Sequence, residues 1–156
     1  MASVVIAETI LIIASVVIAS SLAGVMLTKT NTFQSAFIAS SDKQKEIILT
    51  DIAIVYASNP TSNQIDIWVK NIGIQPVTSP DSIDVYFGKM GSMQKIPYDD
   101  NSAPKWVFYS TTSVWNVDDT IQLTLSSDYS LSSDTIYNIR IVTPNGVSSD
   151  YIFTAS

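Results

Sequence analysis

The chain contains no cysteine and no histidine. The first absence excludes disulfide stapling, thiolate nucleophiles and thiolate metal sites, and the second removes the commonest proton shuttle and the imidazole ligand. Basic residues are sparse: eight Lys and Arg against 14 Asp and Glu give a net charge of −6, and apart from Lys43 and Lys45 they stand singly. Without a basic face there is no electrostatic footprint for nucleic acid. Only five residues are glycine, and neither a Gly-rich phosphate loop nor a nucleophile elbow occurs. The adjacent carboxylates Asp99–Asp100 and Asp118–Asp119 lack the spaced array of a calcium loop and read as turn residues at strand boundaries. Asn59-Pro60-Thr61 is blocked as a glycosylation acceptor by its proline. No catalytic, cofactor-binding or metal-binding residue is assigned, and no enzymatic activity is expected.

What the chain does have is a long apolar run. Residues 4–27 carry one charge, Glu8, and apolar side chains cover every helical face. At about 1.5 Å per residue the run is long enough for a bilayer core. Residues 1–28 are predicted to form a transmembrane anchor helix in contact with membrane lipid. Met1, Ala2 and Ser3 provide no basic region of the kind that opens a secretory signal, so the anchor is expected to stay uncleaved. Glu8 either lies near the interface or pairs inside a helix bundle. With the small residues Ala19 and Gly24 it forms the candidate surface for membrane-helix association. Lys29, Lys43 and Lys45 follow the run and no basic side chain precedes it, a bias that by itself favours a cytoplasmic C-terminal part.

Residues 29–46 place Phe33, Phe37 and Ile38 at helical spacing among polar residues, which predicts an amphipathic stalk. Its apolar face packs either on the protein's own C-terminal domain or on a neighbouring stalk. From residue 47 to 156 the period changes to short β-branched and aromatic runs punctuated by Asn, Pro, Gly, Ser and Asp. Runs at 47–57, 64–71, 82–88, 105–110, 120–125, 135–143 and 148–154 predict an all-β, immunoglobulin-like β-sandwich of about seven strands behind the helix. In the second run Ile65, Ile67 and Val69 alternate with Asp66, Trp68 and Lys70, and in the sixth Ile136 opposes Tyr137. Pro144-Asn145-Gly146 predicts a tight hairpin turn, with Asn-Gly supplying positive φ angles. The stretch 88–119 is irregular and predicts long loops or an edge hairpin. Its aromatics Trp106, Tyr109 and Trp115 are either core or exposed anchors for a partner.

Several motifs taken together resemble one known family. They are Met-Ala-Ser ahead of the apolar run, Ser-Leu-Ala-Gly-Val at 21–25, Asp-Ile-Ala-Ile at 51–54, Ile-Trp-Val-Lys-Asn-Ile-Gly at 67–73, Ile-Asp-Val-Tyr-Phe at 83–87, and the final hairpin at 137–153. In this order behind an N-terminal anchor, the chain resembles the archaellum accessory protein G family, while residues 88–115 depart from its pattern. The resemblance implies a membrane-anchored stator element of the archaellum motor, with its immunoglobulin-like domain outside, in the pseudo-periplasm. It also implies self-association, binding to protein F, contact with surface-layer protein through F, and no cofactor. The alternatives are protein F itself and a pilin- or archaellin-like filament subunit. The basic–Gly processing site of archaeal filament subunits is not seen ahead of the apolar run, which weighs towards the anchor. An anchored ligand-binding or enzyme module is the remaining class.

Overall fold

The computed structural model describes residues 2–99, 101–110 and 113–155. Asp100, one of the paired carboxylates, lies outside the described residues. The chain divides into two compact units, the first ending at Lys43 and the second beginning at Gln44.

The first unit is helical, and its helix α1 (Ala2–Leu49) continues into the first residues of the second. The apolar run contains four hydroxyl side chains, and each is satisfied within the helix. Thr9, Ser20 and Ser21 donate to the carbonyls four residues back and Ser15 to that of Ile12, all at 2.8 Å. A helix in lipid needs this, because hydrocarbon offers no partner to a free hydroxyl. The span is long and apolar enough to cross a membrane, and none of it is buried within the protein.

The second unit is a sandwich of two antiparallel four-stranded sheets with a small two-stranded ribbon. Sheet one runs in the order β1 (Ile52–Thr61), β2 (Gln64–Asn71), β8 (Thr120–Ser126), β6 (Lys105–Phe108). Sheet two runs β10 (Ser148–Thr154), β9 (Ile136–Val142), β4 (Asp84–Lys89), β5 (Ser92–Ile96). The ribbon pairs β3 (Val77–Thr78) with β7 (Val114–Trp115). Ile65, Ile67 and Val69 of β2 and Leu123 and Leu125 of β8 face Val85 and Phe87 of β4 and Tyr137, Ile139 and Ile141 of β9, all of them buried. Phe87 stacks on Tyr137 with ring centroids 5.5 Å apart. The Tyr137 hydroxyl accepts the Ser132 backbone N–H at 2.9 Å, tying the turn before β9 to the core as a tyrosine corner does.

Among the described residues ten strands stand where seven runs are expected. The run expected to begin at residue 47 begins at Ile52, because α1 continues through Ile47, Ile48 and Leu49. The Thr50 backbone N–H and hydroxyl both donate to the Glu46 carbonyl, at 3.1 and 2.9 Å, and Asn145 Nδ2 donates to Thr50 Oγ1 at 2.7 Å. The helix end is therefore held where it stops. The irregular stretch contributes β5, β6 and β7, with β4 and β5 forming the expected edge hairpin around Gly91 at φ 85°. The Pro144-Asn145-Gly146 turn joins β9 and β10 as anticipated, but with one correction. Gly146 alone takes positive φ, at 92°, while Asn145 does not. Proline at the first turn position and glycine in the left-handed position suit a three-residue loop with a bulge. Asp99 and Asp118, at φ 43° and 65°, occupy left-handed turn positions that Asp tolerates better than most residues.

Candidate interaction surfaces

Three surfaces among the described residues bear on interaction. On the helical unit, Glu8, Ala19 and Gly24 are exposed, and beyond the adjoining helix backbone nothing lies within 4 Å of where a Cβ on Gly24 would stand. Further along, Phe33 and Phe37 stack with centroids 6.5 Å apart and, with Ile38, are exposed. Within their own unit these three aromatic and aliphatic groups have no cover.

Trp106 and Trp115 are not surface anchors: they are 1% and 0% exposed. Trp106, on the edge strand β6, packs against Tyr98, at 4.6 Å between rings, and edge-on against Phe108 at 5.2 Å. Trp115 belongs to the ribbon and is buried, its indole N–H donating to the Asp119 carbonyl at 2.9 Å. Both indoles bury their ring area, and that of Trp115 keeps its polar tip bonded. Tyr109, at 76% exposed, is the one of the three that faces solvent.

Tyr109 belongs to a row that the sequence did not single out. Across the outer face of sheet one, Tyr56 of β1 lies opposite Trp68 of β2, and Trp68 lies opposite Gln122 of β8. Beyond the end of β6, the Tyr109 backbone N–H donates to the Gln122 carbonyl at 2.9 Å and completes the row. The rings of Tyr56 and Trp68 are 5.4 Å apart. A β-bulge puts Tyr56 there: Ile54 pairs with Val69 and Tyr56 with Trp68, so Val55 is the extra residue and both Val55 and Tyr56 turn outward. Trp68, Tyr109, Ser110, Thr120 and Gln122 line a shallow depression of about 400 Å³. Asp66 on the same face accepts from Gln64 Nε2 at 3.2 Å and Thr124 Oγ1 at 3.0 Å, and Lys70 pairs with Asp118 at 3.1 Å. Among the described residues no group of three or more acidic side chains could hold a metal ion.

The comparison with known proteins bears directly on these surfaces. A sequence model of archaeal-type flagellin matches residues 2–153. The chain belongs to the archaeal-type flagellin family. Within the archaellum proteins, it is 32% identical to the archaellum periplasmic stator protein FlaG from Sulfolobus acidocaldarius, with TM-score 0.64, over 67% of this chain and 100% of that one. The same identity, with TM-score 0.63, holds over 67% of this chain and 90% of the matching chain in the stator complex of FlaF and FlaG from that organism. The archaeal flagellum of Methanospirillum hungatei strain JF1 matches over 96% of this chain and 92% of its own at TM-score 0.73, but at 16% identity, which shows shared architecture. Among curated protein sequences none matches. The resemblance to the protein G family therefore stands, and with it the immunoglobulin-like sandwich behind a long helix. The chain is an archaellum component related to the FlaG stator and to archaellin filament subunits.

Proposed function

We propose that this chain is a stator element of the archaellum motor, anchored by α1, with its sandwich outside the membrane, where it associates with its own copies and binds protein F. The observation that carries the reading is the 32% identity to FlaG over that chain's whole length, which at this level is well beyond shared fold. A rotating filament needs a counter-element that resists torque, and a membrane tether ending in a rigid β domain can supply one. In this reading Glu8, Ala19 and Gly24 serve helix contact in the membrane, and Phe33, Phe37 and Ile38 pack neighbouring stalks. Surface-layer contact would pass through F. Normal filament assembly and swimming after deletion of the gene would sink the proposal.

Orientation has its own test, which the absence of cysteine makes clean. Ser133 is exposed, so Ser133→Cys creates a lone thiol in the β domain. An impermeant maleimide should label it in intact cells. Labelling only after lysis would put the domain in the cytoplasm, as the basic residues after the run would favour.

The family match over residues 2–153 favours a second reading, a filament subunit. Mass spectrometry of sheared filaments distinguishes the two: a stator element stays with the membrane fraction, whereas a subunit is recovered as a filament component.

A further inference from the structure

The row Tyr56–Trp68–Gln122–Tyr109 crosses the outer face, with Val55 turned outward beside Tyr56 and Val107 opposite Thr124, and its other neighbours are polar. On one side lie Lys70 and Thr120, and on the other Ser58, Asp66 and Thr124. A stable protein–protein contact needs roughly 800 Å² from each partner with an apolar centre, whereas here the aromatic rings are interleaved with Lys70, Thr120, Asp66 and Thr124. The charges that border the row are already engaged, Asp66 by two donors and Lys70 by Asp118, so the row itself selects neither an acidic nor a basic partner. What is left for a ligand is flat aromatic area interleaved with neutral amide and hydroxyl groups.

We propose that this row is a carbohydrate-binding surface, with Trp68 and Tyr109 as platforms for the C–H faces of sugar rings and Gln122 between them hydrogen-bonding ring hydroxyls. Sugars present the matching chemistry: polarised C–H groups that favour the negative face of an aromatic ring, and neutral hydroxyls that pair with amides and other hydroxyls. Trp68 and Tyr109 flank β8 and so stand two strand spacings apart, about 10 Å, which suits an oligosaccharide lying across the strands more than a single sugar. Thr120 at the rim of the depression adds a hydroxyl partner. The platforms are fixed by the sheet ladder, and Tyr56 buttresses Trp68 through the bulge. The surface lies wholly on the sandwich, so the proposal is independent of whether the chain serves as stator or filament.

The test uses the full chain in lauryldimethylamine oxide, whose headgroup is not a sugar, titrated with cellohexaose, chitohexaose and mannohexaose. Of the three tryptophans, Trp106 and Trp115 are buried, so changes in emission and acrylamide quenching report Trp68. At least one hexasaccharide should shift the emission to the blue and protect it from quenching. In Tyr109→Ala the apparent affinity should fall about tenfold. Binding by Trp68→Ala, followed by calorimetry, should fall similarly, with the near-ultraviolet circular dichroism of Trp106 and Trp115 showing that the fold is kept. Tyr109 is exposed enough that its variant serves should Trp68→Ala fail to fold. An emission indifferent to all three sugars, or affinity unchanged in Tyr109→Ala, would overturn the proposal. So would substitutions in the row that alter the mass seen by light scattering while no sugar binds, since the row would then be a protein contact.

Discussion

The side-chain amide of Asn71 is fully buried, donating to the carbonyls of Gln75 at 2.9 Å and Trp115 at 3.2 Å and accepting the Gly73 N–H at 3.1 Å. It thereby ties the end of β2 to the ribbon that holds Trp115. Two residues on, a Cβ at Gly73 would stand 2.5 Å from the Asp51 nitrogen and 2.7 Å from the Leu49 oxygen, both backbone atoms that cannot yield. The Val-Lys-Asn-Ile-Gly motif is thus a packing and hydrogen-bonding device at the meeting of helix end, β2 and ribbon. Asn71→Ala takes the donor from the Gln75 and Trp115 carbonyls, while the Gly73 N–H keeps the Asp51 carbonyl, and should lower stability by about 2 kcal/mol. Gly73→Ala should cost about 2 kcal/mol or more through backbone displacement. Urea unfolding followed by tryptophan emission checks both, and losses below about 0.5 kcal/mol would refute this account of the motif. The residue scale also shows what a sequence hides. Trp68 could be placed on the outer face by parity with Asp66 and Lys70. Tyr56 could not, because simple alternation from Ile52 and Ile54 points it inward, and only the bulge at Val55 reverses it. Trp106 and Trp115 lie in stretches too irregular for any periodicity to declare them core.

At the scale of elements, the hairpin turn between β9 and β10 has a second task. Asn145 donates its amide to Thr50 Oγ1 at 2.7 Å and, more weakly, to the Glu46 carbonyl at 3.4 Å, so the turn covers the C-terminal end of α1. If Asn145 served only to supply positive φ, Asn145→Gly would be harmless. Because Asn145 does not take positive φ and its amide holds the helix end, Asn145→Gly and Asn145→Ala should each lose about 1 kcal/mol. Gly146→Ala should also lose about 1–2 kcal/mol, on torsional grounds alone, since nothing lies within 4 Å of the added methyl. Thermal melts of the three variants check this, and a neutral Asn145→Gly would return the residue to a purely conformational role. The strands readable from sequence, β2, β8 and β9, are those with one face in the core and one wet, so alternation is strict. The start of β1 was not readable, because Ile47-Ile48-Leu49 fits a strand as well as a helix end, and the caps from Thr50 and Asn145 decide between them. Two-residue strands such as β3 and β7 are too short to carry a period.

For the molecule as a whole, the environments of Tyr129 and Lys95 bear on stability at the alkaline end of the pH range. Burial raises the Tyr129 phenol above its ordinary 10.0, helped by neighbouring Tyr137, with a smaller opposing hydrogen bond to Ser127. The ring stacks on Phe87 at 6.4 Å, so the phenolate would form against the aromatic core. The hydrogen bond and charge of Asp84 raise the Lys95 ammonium above 10.5, the two joined at 2.7 Å. Both groups hold their protons more tightly folded than unfolded. Their contribution is therefore complete below the unfolded values and is lost as pH rises through the folded ones. The melting temperature should accordingly show no slope from these groups below pH 10.0 and should fall above it. Tyr129→Phe removes the phenol while keeping the ring, so its melting temperature should decline less steeply on the alkaline side than that of the parent. Lys95→Met should change the alkaline slope less, because that ion pair is open to solvent and screened. Calorimetric melts of parent and variants across the alkaline range would decide it: equal slopes for the parent and Tyr129→Phe would mean that the packing of Tyr129 against Phe87 does not set the alkaline limit of the fold.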